Sequence, residues 1–229
     1  MKYQAVIFDL FGTLIDNFSN QSNMKILSEM ASVLSLPSSD FIKLWVESFD
    51  LRATGILSTC EANIEYVSKK IGLPVKSTAV KEATRIRFEF TVRSIVPRPH
   101  GIEVLSHLKK EGYGIGLISD CSHELPIVWK DTPFAPLIDV PVFSCVVGMK
   151  KPDPRIYRMA LERLGAEARD CLYIGDGSSQ ELSGAQKVGM YPVLIRVPHE
   201  MNADAYRIDE EEWHGPTISS LSEVLGLLE

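Results

Sequence analysis

Short apolar runs that give way to a polar residue recur along this chain, and they restrict its fold more than any other feature. The runs at 5–10, 114–120, 142–148, 171–176 and 192–197 are rich in β-branched residues and read as strands covered on both faces. Helical patterns at 102–110, 155–164 and 180–188 stop at Gly112, Gly165 and Gly189, and a last one spans 219–228. Strand and helix alternate from about Gly101 onward, which implies an α/β fold on a parallel sheet.

The stretch 15–96 breaks this alternation with several helical patterns and no convincing strand. It reads as a helical domain inserted into an α/β core of 1–14 and 97–229. Ser38-Ser39-Asp40 marks the start of a helix, and Ser58 with Glu61 reads as a capping box for the next. Gly72-Leu73-Pro74 stops that helix, and the pattern at 78–93 ends before Pro97-Arg98-Pro99. Segments 15–18 and 96–99 are the expected hinges. With 229 residues, 45% of them hydrophobic, the chain has ample material for a sizeable core.

Charge narrows the function classes. The 24 Lys and Arg against 30 Asp and Glu leave a net charge of −6, without the basic run that nucleic acid or an anionic membrane would need. The expected partner is a small molecule, and the pattern leaves oligomeric state open. The N-terminal stretch lacks the long apolar run of an anchor or leader, and the four cysteines are scattered without a CxxC pair. A cytoplasmic protein with reduced, mostly packed thiols is expected.

In a parallel sheet the ligand site lies beyond the carboxyl ends of the strands. Four such ends carry chemistry here: Asp9-Leu10-Phe11-Gly12-Thr13, Ser119-Asp120, Lys150-Lys151-Pro152-Asp153-Pro154 and Gly175-Asp176. In order, in spacing, and with a helical insertion directly after the first, they resemble the haloacid dehalogenase-like hydrolase superfamily, in particular its members with a C1 cap. The resemblance implies a Rossmann-like core and a mobile helical cap over 15–96.

It also implies roles. Asp9 would be the nucleophile, forming a covalent ester that water later hydrolyses, and Thr13 would orient it. Ser119, Asp120 through its main-chain N–H, and Lys151 would hold the transferring group and offset its charge. Mg2+ would be bound by Asp9, the main-chain carbonyl of Phe11, and Asp176. Glu181, where many relatives have a second acid, would either serve the metal or open a helix whose dipole favours an acid. Lys150 reads as surface charge.

The chain departs from the phosphatase pattern at Phe11, where those relatives carry an aspartate acting as general acid and base. Dehalogenases of the superfamily have an aromatic residue there, which suits a halide that leaves without a proton. They commonly lack the fourth-motif aspartate and carry an early arginine; this chain keeps Asp176 and has no arginine before Arg52. The leading expectation is a magnesium-dependent phosphatase acting on a small metabolite through an aspartyl-phosphate. The alternatives are a metal-independent 2-haloacid dehalogenase and a non-catalytic relative that binds a phosphorylated ligand. Cys121, Cys145 and Cys171 read as packing, the first beside a motif and the other two within strands. Trp45 and Phe49 read as neighbours on one helix, His123 and His199 as non-catalytic, and 209–212 as a solvated acidic face.

Overall fold

The computed structural model describes residues 2–17, 19–198 and 207–228; Phe18 and His199 lie outside the described residues. β1 (Ala5–Phe8) is followed by five helices, α1 (Asn20–Leu34), α2 (Ser38–Glu47), α3 (Phe49–Ala53), α4 (Cys60–Ile71) and α5 (Ser77–Ser94). Then come α6 (Gly101–Lys110), β2 (Gly114–Ser119), α7 (Glu124–Val128), β3 (Val140–Phe143), α8 (Ser144–Val147), α9 (Pro154–Leu164), β4 (Cys171–Gly175), α10 (Glu181–Lys187), β5 (Tyr191–Ile195) and β6 (Thr217–Ile218). The strands form one parallel sheet in the order β3-β2-β1-β4-β5-β6.

β1 therefore lies inside the sheet, and its side chains alternate between two apolar layers. Val6 and Phe8 join Leu105 and Leu108 of α6 on one face, while Ala5 and Ile7 join Ile156 and Ala160 of α9 on the other. Each large side chain buried in this way contributes about 1.5–3 kcal/mol of transfer free energy. A third cluster lies within the inserted helices, where Leu27, Met30, Phe41, Trp45, Ile64 and Ile86 pack together. The chain enters and leaves those helices side by side: Ile15 pairs with Pro97, and the Leu14 carbonyl accepts from the Arg98 N–H at 2.9 Å.

Several local expectations need correction. The run 142–148 is not one strand, because the chain turns helical at Ser144; the Gly148 N–H bonds back to the Ser144 carbonyl at 2.9 Å, and Val146 faces solvent. Cys145 accordingly lies in α8. Thr59, rather than Ser58, caps α4, its hydroxyl accepting from the Ala62 N–H at 3.0 Å. Phe49 opens α3 instead of extending α2. The expected final helix is a 3₁₀ segment, Leu221–Leu227, and β6 precedes it as a two-residue strand too short to show a pattern.

Candidate active site

The site grows out of the strand ends. The Asp9 N–H bonds to the Ile174 carbonyl at 2.9 Å, which carries the β1–β4 ladder one residue past the strand and fixes the nucleophile candidate beside Gly175 and Asp176. The chain then folds back sharply: the Leu10 carbonyl accepts from the N–H groups of Thr13, Leu14 and Ile15. Gly12 makes the turn possible with φ +87°, and a Cβ there would lie 2.3 Å from Asp176 Oδ2. Across β1, Asp120 follows β2, and its Oδ1 accepts from the Lys151 N–H at 3.0 Å, tying the second motif to the third.

Lys151 is the charge centre. Its Nζ donates to Asp9 Oδ1 at 2.6 Å and to Glu181 Oε2 at 2.5 Å. Glu181 also accepts from Tyr173 Oη at 2.8 Å and from the Gly177 N–H at 3.0 Å, so its oxygens brace the lysine. Tyr157 Oη donates to the Glu181 carbonyl at 3.0 Å. Burial is the largest influence on Asp9 and raises its pKa; Lys151 lowers it and Asp176 raises it, leaving it at about 6. Burial likewise pushes Glu181 well above the ordinary carboxylate range and raises Asp120. Burial opposes the charge of Lys151, yet Asp9 and Glu181 outweigh it and hold its pKa well above that of an ordinary lysine.

Asp176 is held by three donors. Its Oδ2 accepts from Asn17 Nδ2 at 2.7 Å and Arg207 Nε at 3.0 Å, and its Oδ1 from the Ser178 N–H at 3.0 Å. Asp9, Asp176 and Glu181 each offer a carboxylate oxygen within 4.8 Å of the others, and all three are buried. An all-oxygen set of this kind fits a hard divalent cation. The missing Cβ atoms of Gly12 and Gly175 let the Asp176 and Glu181 carboxylates lie close against the backbone, since one at Gly175 would lie 2.3 Å from Glu181 Oε1. Thr13 Oγ1 and Ser119 Oγ are buried at the same edge and take no hydrogen-bond partner among the described residues.

A cavity of about 120 Å³ opens from Asp9, Phe11, Asp120 and Lys151 toward the inserted helices. Its far wall holds Trp45, Phe49, Arg52 and Arg87. Neither arginine stands out in the sequence, because helical periodicity identifies an apolar stripe but not which long side chains reach past it. Arg52 lies over the Trp45 ring and donates to Ser48 Oγ at 2.8 Å and Ser122 Oγ at 3.3 Å. Arg87 pairs with Glu124 at 3.6 Å. Trp45 is both core and cavity wall. Lys150 is a surface charge, as expected, and its Nζ bridges to the exposed Asp50 of α3 at 2.9 Å and lies over Phe49. His123 does not line the cavity, whereas its neighbours Ser122 and Glu124 do. The acidic run is only partly a solvated face, because Glu211 bonds the first N–H groups of α10.

The profile of haloacid dehalogenase-like hydrolases matches residues 3–189. Glyceraldehyde 3-phosphate phosphatase of Methanocaldococcus jannaschii is 28% identical over 136 residues, covering 58% of this chain and 56% of that protein. The chain spans about half the length of the first curated relatives it matches. (S)-2-haloacid dehalogenase 4A of Burkholderia cepacia is 25% identical over 231 residues, covering 98% and 94% of the two chains. The fold is shared with the crystal structure of 2-haloacid dehalogenase from Pseudomonas syringae pv. Tomato DC3000, with a TM-score of 0.72, 19% identity, and 99% and 98% coverage. With strand-end carboxylates, a braced lysine and this profile over most of its length, the chain belongs to the haloacid dehalogenase-like hydrolase family.

Proposed function

We propose that this protein is a phosphatase acting on a small phosphorylated metabolite through an aspartyl-phosphate. The observation that carries the reading is the convergence of Asp9, Lys151, Asp176 and Glu181 at one sheet edge, with Lys151 Nζ 2.6 Å from the nucleophile. Asp9 attacks phosphorus and the ester oxygen departs; water then cleaves the acyl phosphate and returns the carboxylate. Lys151 lies where charge accumulates on the transferring oxygens, with the buried Ser119 Oγ available to them, while Thr13, expected to orient Asp9, makes no hydrogen bond to it through Oγ1. Asp9, the Phe11 carbonyl and Asp176 would hold magnesium, with Glu181 adjoining through its bond to Lys151. The cation would supply charge stabilisation for a dianionic phosphoryl group.

The helices of 15–96 act as the cap, because Trp45, Arg52 and Arg87 complete the cavity that Asp9 begins. Residues 15–17 and 96–99 form the neck about which the cap moves; Phe18 lies outside the described residues. No described helix is long and apolar enough to cross a membrane, and all four thiols are free, as suits a cytoplasmic enzyme.

Phe11 favours a second reading. It lines the cavity at the position where a general acid would stand, and it has no proton to give. A 2-haloacid dehalogenase needs none. The deciding experiment is a panel of phosphate esters, with and without magnesium, beside halide release from 2-haloacids, repeated with Asp9→Asn. Magnesium-dependent phosphate release that is lost in the variant is expected. Halide release without magnesium would establish the second reading, and ligand binding without turnover would identify a binding protein.

A further inference from the structure

Asp176 already carries a counter-cation. Arg207 Nε lies 3.0 Å from Asp176 Oδ2 with its side chain 11% exposed, while that of Asp176 is fully buried. A carboxylate has about four acceptor positions. Asn17, Arg207 and the Ser178 N–H occupy three of them. The surrounding charges point the same way: Asp9, Asp120, Asp176 and Glu181 are set against Lys151, Arg207 and Arg196, the last donating to the Asp176 carbonyl, so the carboxylates are already largely matched by cations. A divalent ion on Asp176 would stand beside a guanidinium bound to the same group, in a buried setting where like charges repel strongly.

Arg207 comes from a strap that is secured independently of its side chain. The Ile208 carbonyl accepts from the Ser179 N–H at 2.6 Å, and the Glu211 N–H donates to the Gly177 carbonyl at 3.1 Å. Glu211 in turn accepts from the N–H groups of Leu182 at 2.6 Å and Ser183 at 3.1 Å. The strap thus follows the 177–183 loop along its length and delivers one positive charge to Asp176. Its backbone attachments do not require that charge.

We propose that Arg207 and a divalent cation compete for the Asp176 carboxylate, so that residue 207 sets the metal concentration at which the site fills. This rests on the reading that the three-carboxylate cluster takes such a cation. Competition is reciprocal: whatever Arg207 costs the metal, the metal costs the docking of Arg207. The guanidinium is a positioning group and touches no reacting atom.

The test is calorimetric titration of the full chain with Mg2+, for the wild type, Arg207→Gln and Arg207→Lys, each first shown to be folded by its melting curve. Arg207→Gln should lower the Kd about tenfold, within the usual span of such couplings. Arg207→Lys keeps the charge and should stay within about threefold of the wild type. An independent readout is the Arg207 Nε–H resonance in the wild type, which should lose its ion-paired shift as Mg2+ saturates the protein. Equal affinity in the wild type and Arg207→Gln, or weaker binding in the variant, overturns the competition and leaves the metal reading intact. Binding by neither overturns both. Binding by Arg207→Gln alone supports the competition in its strongest form and makes the wild-type site metal-free.

Discussion

The Lys151 ammonium and the Asp9 carboxylate meet at 2.6 Å with only 2% and 4% of the two residues exposed. Both charges have left water, so each depends on the other, and on Glu181, for its solvation. Such a pair is costly to break even where it adds little net stability.

Lys151→Met should therefore destabilise the fold by about 3–5 kcal/mol, because Asp9 and Glu181 would face each other without a cation. Urea denaturation checks this. The double variant Lys151→Met/Glu181→Gln should recover part of the loss, and additive effects of the two changes would show that the groups are not coupled.

Gly12→Ala should cost about 1–3 kcal/mol and also impair turnover. The positive φ disfavours a side chain, and the new Cβ would press on Asp176. Gly72→Ala is the control: its φ is +83°, but a Cβ there meets nothing within 4 Å, so it should lower the melting temperature while sparing activity.

At Phe11 the leaving group should decide the rate. Without an adjacent acid, acyl and aryl phosphates should be cleaved faster than alkyl phosphates, since a poor leaving group then departs unprotonated. Phe11→Asp should raise alkyl phosphate hydrolysis selectively, by up to about 10²-fold. A flat dependence on leaving-group basicity in the wild type would mean that another residue supplies the proton.

The thiols should separate by pH. Cys121 Sγ lies 3.8 Å from Cys145 Sγ, and its hydrogen bond holds the Cys145 pKa below the ordinary value, while burial raises Cys121 well above it. Burial raises Cys171 to about 11. The thiolate is the reactive form, so a lowered pKa means reaction at lower pH. Cys145 and Cys171 are both buried, so iodoacetamide labelling of the native protein should be slow, with Cys145 marked ahead of Cys171 at pH 8 as read by peptide mass spectrometry.

Much of this site was legible in the sequence because an apolar strand that ends on a carboxylate announces both its burial and its exit. Asp9, Ser119, Asp120 and Asp176 all stand at such ends, and the parallel sheet that gathers them follows from strand–helix alternation. What pattern could not supply is pairing over distance. Nothing in the spacing of Glu181 foretells that it braces Lys151, and nothing at Arg207 or Asn17 points to Asp176. Trp45 fitted an apolar helical stripe and does pack in the core, yet the same ring also walls the cavity. The helical turn at Ser144 escaped because Cys145, Val146 and Val147 are as apolar as a strand, and only the exposure of Val146 separates the two.

The strand order has a bearing on how the molecule acquires its chemistry. β1 pairs with β2 at Gly114 and with β4 at Cys171, partners that lie far along the chain from Ala5. Contacts of such high contact order form late and slowly, although the entropy of closing the intervening loop grows only with the logarithm of its length. The inserted helices, by contrast, close their own apolar cluster from neighbouring segments. Only a fragment running at least from Asp9 to Glu181 holds the candidate nucleophile, its lysine and the brace on that lysine together. A nascent chain released before Glu181 would carry Asp9 and Lys151 without the residue that orders them. Catalytic competence is thus a property of the finished sheet, and its return during refolding reports completion of the core rather than its beginning.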